Sequence, residues 1–249
     1  MALQLLETQK IWYCVSLKNW DNKTWLSSKK YIKSFNNFLL KQIRLNRDSQ
    51  ILDIGCGRGK ILGSLYTRLK LNKRPIGIDI ESHKDRDKRI IFKKVDAIKY
   101  LKKCENKFDL ILIKQTIHFL KFSEIKKLLN YCKKKLNSQG KIIIFTLEIN
   151  KNEIPTFLSM KRKLQKSLNR DKKILKSISN LYPENVTKKF FFRVRIKKKK
   201  YIEMLKKRYI SILLSLKLDE ISKGINEINL KYKKNIFFKD KLICQILKK

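Results

Sequence analysis

Residues 51–59 read ILDIGCGRG. The aliphatic run ends in an acid, Asp53, and Gly55, Gly57 and Gly59 follow at once. The next segment, KILGSLYTRLKL (60–71), carries apolar side chains at 61, 62, 65, 66 and 69, which is helical spacing. Strand, glycine turn and helix together form a device for bringing backbone close to a nucleotide-like ligand. Glycine tolerates φ > 0 and has no Cβ to hold the ligand away. An ordinary tight strand-to-helix turn is the plainer alternative.

The glycine spacing discriminates between ligands. A dinucleotide fingerprint G-x-G-x-x-G begun at Gly55 needs its third glycine at position 60, which is Lys60. A phosphate loop G-x-x-x-x-G-K-[ST] ending at Gly59-Lys60 meets Ile54 where its first glycine belongs and Ile61 where its hydroxyl belongs. Both phosphate readings fail, and D-x-G-x-G-x-G remains.

That pattern resembles motif I of the class I (Rossmann-like) S-adenosylmethionine-dependent methyltransferases. Further segments are similar to the family in order and spacing. RPIGIDI (74–80) reads as a strand ending in Asp79, 20 residues past Gly59. An acid there is placed to accept hydrogen bonds from both ribose hydroxyls, and Glu81 is the substitute. IIFKKVDAIKY (90–100) runs into Asp96-Ala97, where the family places an acid facing the adenine amino group; a helix N-cap is the other role open to Asp96. FDLILIKQTIHFL (108–120) is a buried strand and loop matching motif IV, and LNSQGKIIIFTL (136–147) is a glycine turn leading into a fifth strand. The resemblance covers residues 30–150 closely and the last hundred loosely.

The resemblance implies an α/β fold. It has a doubly wound, mostly parallel seven-stranded sheet, its last strand inserted antiparallel, with extra C-terminal helices. One methyltransferase domain would span 1–249. Within it, 1–48 is an N-terminal helical segment, 49–150 the donor-binding core, 151–235 a helical lid or acceptor region, and 236–249 the last strand. Periodicity adds helices at 28–44, 122–136, 151–182, 199–216 and 219–232, and strands at 190–196 and 236–247.

For the site, the resemblance implies S-adenosylmethionine as cofactor. Asp53, Gly55, Cys56, Gly57, Gly59, Asp79, Ile80, Asp96, Ala97, Lys114 and Gln115 would line its pocket. Lys114 is an unusual residue after a fourth strand; it meets a carboxylate or points to solvent. His118, three residues past Gln115, stands where a general base can sit, or is a packed helix residue. Trp20, Trp25 and Tyr31 either close over the donor's sulfonium or pack a core. Arg208–Ser211 either faces an acceptor or packs a helix.

Composition limits the rest. No stretch of 18 apolar residues is present, so no membrane span is expected, and the first residues lack the pattern of a signal peptide. Five scattered cysteines suit a reducing cytoplasm. Without a C-x-x-C pair, and with only His83 and His118, no metal is expected.

Net charge is +41, which ordinarily points to nucleic acid or an anionic surface. Yet 50 of the 62 basic residues are lysine, spread along the chain with short runs such as Lys197–Lys200, as AT-biased coding would produce. Arginine, the better reader of phosphate and base edges, is not enriched. The expected acceptor is therefore a small molecule, with an RNA or protein methyltransferase as the alternative. Lys114-Gln115-Thr116-Ile117 stands where base-amine methyltransferases carry N/D-P-P-Y/F, and that stretch holds no cysteine for attack on a pyrimidine.

Overall fold

The computed structural model describes residues 24–249; Trp20 and Cys14 lie outside them. The chain divides into two compact units. Of the described residues, the first comprises 24–28, 153–167 and 193–240, and the second 29–152, 168–192 and 241–249.

Seven strands form one sheet in the order β3-β2-β1-β4-β5-β7-β6. They are β1 (Ile51–Ile54), β2 (Ile76–Asp79), β3 (Ile91–Lys94), β4 (Phe108–Lys114), β5 (Leu136–Leu147), β6 (Val186–Lys197) and β7 (Asn235–Lys248). The pairs β1–β2, β1–β4, β2–β3 and β4–β5 are parallel, and β7 lies antiparallel against β5. This is the doubly wound, mostly parallel sheet that the family resemblance implies. The helices are α1 (Lys29–Leu40), α2 (Lys60–Leu69), α3 (Ala97–Lys103), α4 (Phe122–Lys134), α5 (Leu158–Leu181), α6 (Lys198–Lys206) and α7 (Leu218–Lys231).

The second unit is built on β1, β4 and β5, whose near-continuous aliphatic runs belong to strands covered on both faces. On one face Leu52, Ile54, Ile111, Ile113, Ile142 and Ile144 pack with Leu128, Leu129 and Cys132 of α4 and with Ile174 and Ile178 of α5. On the other, Phe35 of α1 meets Phe145 of β5 at 4.6 Å between ring centroids. Asp96 caps α3, accepting from the Lys99 N–H at 2.9 Å. Glu124 turns back to the Lys121 N–H at 2.7 Å and closes the start of α4.

Residues 136–140 were expected to make a turn before the fifth strand, but they belong to β5 as a bulge. The register steps from Phe108↔Leu136 to Leu110↔Lys141, so β5 advances five residues while β4 advances two. A Cβ at Gly140 would lie 2.7 Å from the Phe108 carbonyl oxygen, so only glycine closes that bulge.

In the first unit the indole N–H of Trp25 donates to Asp240 at 3.1 Å. Its ring stands edge-on to Tyr209 and Phe238 at 5.4 and 5.0 Å. Gly224 of α7 lies so close to Phe157 that a Cβ would fall 2.3 Å from its ring. Helix α5 starts at Leu158, not 151, where the Leu158 N–H is capped by Glu227 at 2.8 Å. The helix expected over 199–216 ends at Lys206. Arg208 adopts a left-handed φ of 52°, and its guanidinium bonds the carbonyls of Leu213, Leu214 and Leu216. A short 3-10 turn at Ser211–Leu213 replaces the continuation.

Candidate functional site

The second unit places its glycine turn at the carboxyl end of β1, the strand from which the sheet order runs outward in both directions. In such sheets ligands bind at this switch point. Gly55, Gly57 and Gly59 have φ of 72°, 54° and 67°. The N–H groups of Gly55 and Cys56 donate to the Ile78 carbonyl at 2.9 and 3.1 Å, which ties the turn to β2. A Cβ at Gly55 would fall 2.1 Å from Thr116 Oγ1, and one at Gly59 would fall 2.2 Å from Ile90 Cδ1. At Gly57 it would meet nothing within 4 Å. The outer glycines thus serve packing, while the middle one faces open space.

Asp79 closes this cradle. Its Oδ2 accepts the Gly57 N–H at 2.8 Å, and its Oδ1 accepts the Glu81 N–H at 3.0 Å. An ionised carboxylate has about four acceptor sites, so two remain for a ligand. Beyond Asp79, Ile80 presents 54% of its surface to solvent. Glu81 is buried.

Asp53 is buried, and its Oδ1 has no hydrogen-bond partner. Burial pushes its carboxyl up to about 7, with Lys114 opposing the rise and Asp79 adding to it. Burial, with Asp53 and Asp79 beside it, also holds the Cys56 thiol protonated. Cys56 therefore contributes backbone and bulk rather than a nucleophile.

Lys114 ends β4 half-buried, its ammonium 5.6 Å from the ring centroids of both Tyr31 and Phe35. Tyr31 also meets Phe190 and Phe192 edge-on at 5.8 and 5.2 Å. Gln115 follows with a left-handed φ of 52° while its N–H donates to the Phe145 carbonyl at 2.8 Å. A non-glycine residue held in that region marks a constrained turn. His118 lies in the 3-10 turn Ile117–Phe119, its ring 4.2 Å from that of Phe119. Burial, and then the positive charge of Arg170, push its imidazole down to about 4, so it is neutral at ordinary pH.

Several readings now separate. Asp96 is the N-cap of α3, one of the two roles open to it, and its second oxygen is left over. Ala97 packs against the core. Tyr31 belongs to the Lys114 cluster, whereas Trp25 is core of the other unit. Arg208 and Tyr209 have structural partners, the Tyr209 hydroxyl lying 2.9 Å from that of Tyr201.

Two contributors escaped the sequence reading. Arg170 of α5 donates to the carbonyls of His118 and Leu120 at 2.5 and 2.7 Å and pins the turn after β4. Arg58, buried within the glycine turn, pairs with Asp85 at 2.7 Å. Each sits among many basic residues, and nothing in the local pattern sets it apart.

Among the described residues no group of three or more His, Cys, Asp or Glu could hold a metal ion, and no helix is long and apolar enough to cross a membrane.

No curated protein sequence matches the chain. Solved structures do. A methyltransferase from Geobacter sulfurreducens, in complex with S-adenosylhomocysteine, is 14% identical with a TM-score of 0.56, and the match covers 95% of this chain and 98% of that one. The plantazolicin methyltransferase BpumL, in complex with a pentazolic desmethylPZN analog and S-adenosylhomocysteine, is 14% identical with a TM-score of 0.52 and 98% coverage of both chains. At such identity these likenesses show the fold. The family model described as a methyltransferase domain matches residues 45–208. The chain therefore belongs to the methyltransferase-domain family and is a class I, S-adenosylmethionine-dependent methyltransferase.

Proposed function

We propose that this methyltransferase acts on a small organic acceptor, holding its donor at the carboxyl ends of β1, β2 and β4. The observation that carries the donor site is the open space at Gly57, bounded by Asp79 and by the unpartnered buried oxygen of Asp53. A nucleoside with a cationic amino-acid tail fits these features. In this reading the backbone of Gly55, Cys56, Gly57 and Gly59 lies along the methionine part, and Asp53 faces its ammonium. The two free acceptor sites of Asp79 take the ribose hydroxyls. Ile80 packs on adenine, whose amino group meets the spare oxygen of Asp96 beside Ala97. Lys114 and Gln115 flank the reactive end.

When bound, S-adenosylmethionine supplies a methyl group on sulfonium that is displaced in line. The methyl would pass to an acceptor lone pair with sulfur keeping the electrons of the carbon–sulfur bond, and a base on the protein would take the acceptor's proton. Positioning carries much of such a rate. The turn after β4, pinned by Arg170, is placed to orient the acceptor. His118, neutral at ordinary pH, is the candidate to take the proton.

The small acceptor is supported by the aromatic cluster of Tyr31, Phe35, Phe190 and Phe192, of which Tyr31 and Phe35 face Lys114. The plantazolicin methyltransferase, of similar fold, holds a pentazolic analog in its structure. The described cysteines 56, 104, 132 and 244 are all unpaired, which supports a reducing cytoplasmic setting.

Calorimetry tests the donor assignment. S-adenosylmethionine and S-adenosylhomocysteine should both bind, and NAD and ATP should not. Binding of NAD alone would overturn it. Labelled methyl transfer into total cellular RNA, lost in Asp79→Ala, would overturn the small acceptor.

A further inference from the structure

The first unit contains a cavity of about 490 Å³ that the methyltransferase reading does not use. Lys197, Lys199, Lys200 and Lys207 line it, with Ser27, Ser28 and a single acid, Glu203. These lysines come from the basic run Lys197–Lys200 and from one face of α6 and the residue that ends it, since 200, 203 and 207 recur at helical spacing. All four lysines and Glu203 are exposed, and among the described residues none forms an ion pair. The Ser27 hydroxyl already donates to the Thr24 carbonyl at 3.0 Å. Buried Met204 and the lysine stems supply the apolar part of the wall.

Four like charges around one concavity repel one another, and a single carboxylate cannot balance them. A ligand with several negative charges in a small volume relieves that repulsion. Lysine ammoniums act as point charges with rotatable donors, so they match phosphate by charge rather than by bidentate geometry. The geometry points to a binding site for a phosphate-rich anion in this groove, recognised by charge density and without base or sequence preference. Glu203 opposes the ligand and limits its affinity. The site is independent of the acceptor reading, since donor calorimetry tests that one and anion calorimetry tests this one.

The experiment uses the full chain and two probes, inorganic tripolyphosphate and a single-stranded oligouridylate, titrated at several salt concentrations. Four proteins are compared: wild type, Lys200→Ala/Lys207→Ala, Glu203→Gln, and Lys172→Ala/Lys173→Ala as a control of equal charge change on exposed positions of α5. The groove pair should weaken binding by about tenfold and lower the slope of log affinity against log salt by about 2. The control pair should leave both near wild type. Glu203→Gln should bind more tightly. Loss confined to tripolyphosphate would name a compact polyphosphate as the ligand, and loss confined to the oligonucleotide would name a nucleic-acid backbone; either supports the site. Equal losses in groove and control pairs would overturn it, as would a failure of Glu203→Gln to tighten binding or the absence of binding by both probes.

Discussion

The Gly57 N–H donates to Asp79 Oδ2 at 2.8 Å, so the glycine turn and the acid of the second strand are joined before any ligand arrives. The same carboxylate holds the Glu81 N–H at 3.0 Å. Asp79 therefore shapes the cradle as well as offering it acceptors, and substituting it has two consequences.

Asp79→Ala removes both bonds to backbone and those proposed to ribose. Hydrogen bonds to a charged acceptor are worth about 1.5–3 kcal/mol each. Affinity for S-adenosylhomocysteine should fall at least tenfold, with a lowered Tm. Asp79→Asn keeps one carbonyl acceptor and should fall between the two in both measurements. An unchanged dissociation constant in Asp79→Ala would move the ribose contact to Glu81.

The three glycines should rank differently when changed to alanine. Each forces a side chain into the left-handed region, at roughly 1–2 kcal/mol. At Gly55 the new Cβ also meets the whole Thr116 side chain, the nearest atom at 2.1 Å, and this variant should lose the most stability. At Gly59 it meets the flexible end of Ile90 and costs less. Gly57→Ala meets no protein atom within 4 Å, so it should carry only the backbone strain, lose the least stability of the three, and yet lose donor binding. Thermal melts with and without S-adenosylhomocysteine separate these outcomes.

Asp53 should make the protein pH-dependent in two opposed ways. Burial raises its carboxyl from 3.8 to about 7, so the folded chain holds a proton there that the unfolded chain has released. Stability of the ligand-free protein thus falls as pH rises from about 4 to 7, by at most about 4 kcal/mol. Asp53→Asn should melt above wild type at pH 8, and the difference should narrow as pH falls and close only at about pH 4. Donor binding runs the other way. A cationic tail beside Asp53 favours its ionised form, so S-adenosylmethionine should bind more tightly as pH rises toward about 7, by up to about tenfold per pH unit, then level off. A flat pH dependence in wild type would exclude that contact.

Arg170→Ala should free the carbonyls of His118 and Leu120 and take a positive charge away from the imidazole. The His118 titration, followed by NMR, should then move up from about 4. His118→Gln should lower kcat by about 10²-fold while leaving donor affinity intact, the range of a general base. An unaltered kcat would show that the acceptor needs no base from this residue.

What could be read along the chain was what depends on near neighbours. Three glycines in five residues after an aliphatic run specify a strand, a left-handed turn and a helix, because φ preference and side-chain periodicity are local. Asp79 followed from its distance past the turn and Asp96 from its place before a helix. The sheet order followed only through the resemblance to a family. Boundaries failed where a distant partner decides them. Helix α5 begins where Glu227, 69 residues away, caps Leu158. The expected turn at 136–140 became a bulge because Gly140 closes on the Phe108 carbonyl of β4.

Tertiary structure alone decided the chemistry of the site. Asp53 has its raised carboxyl because the sheet and helices remove water from around it, a property of enclosure that no adjacent residue supplies. Lys114 rests on Tyr31 and Phe35, residues from a helix that precedes the first strand. Arg170 reaches the turn after β4 across 52 residues of chain. The four lysines of the groove look like any others in a chain of 50; only folding sets them around one concavity. Local sequence sets backbone conformation, whereas burial, charge pairing and cavity shape depend on which segments meet in space.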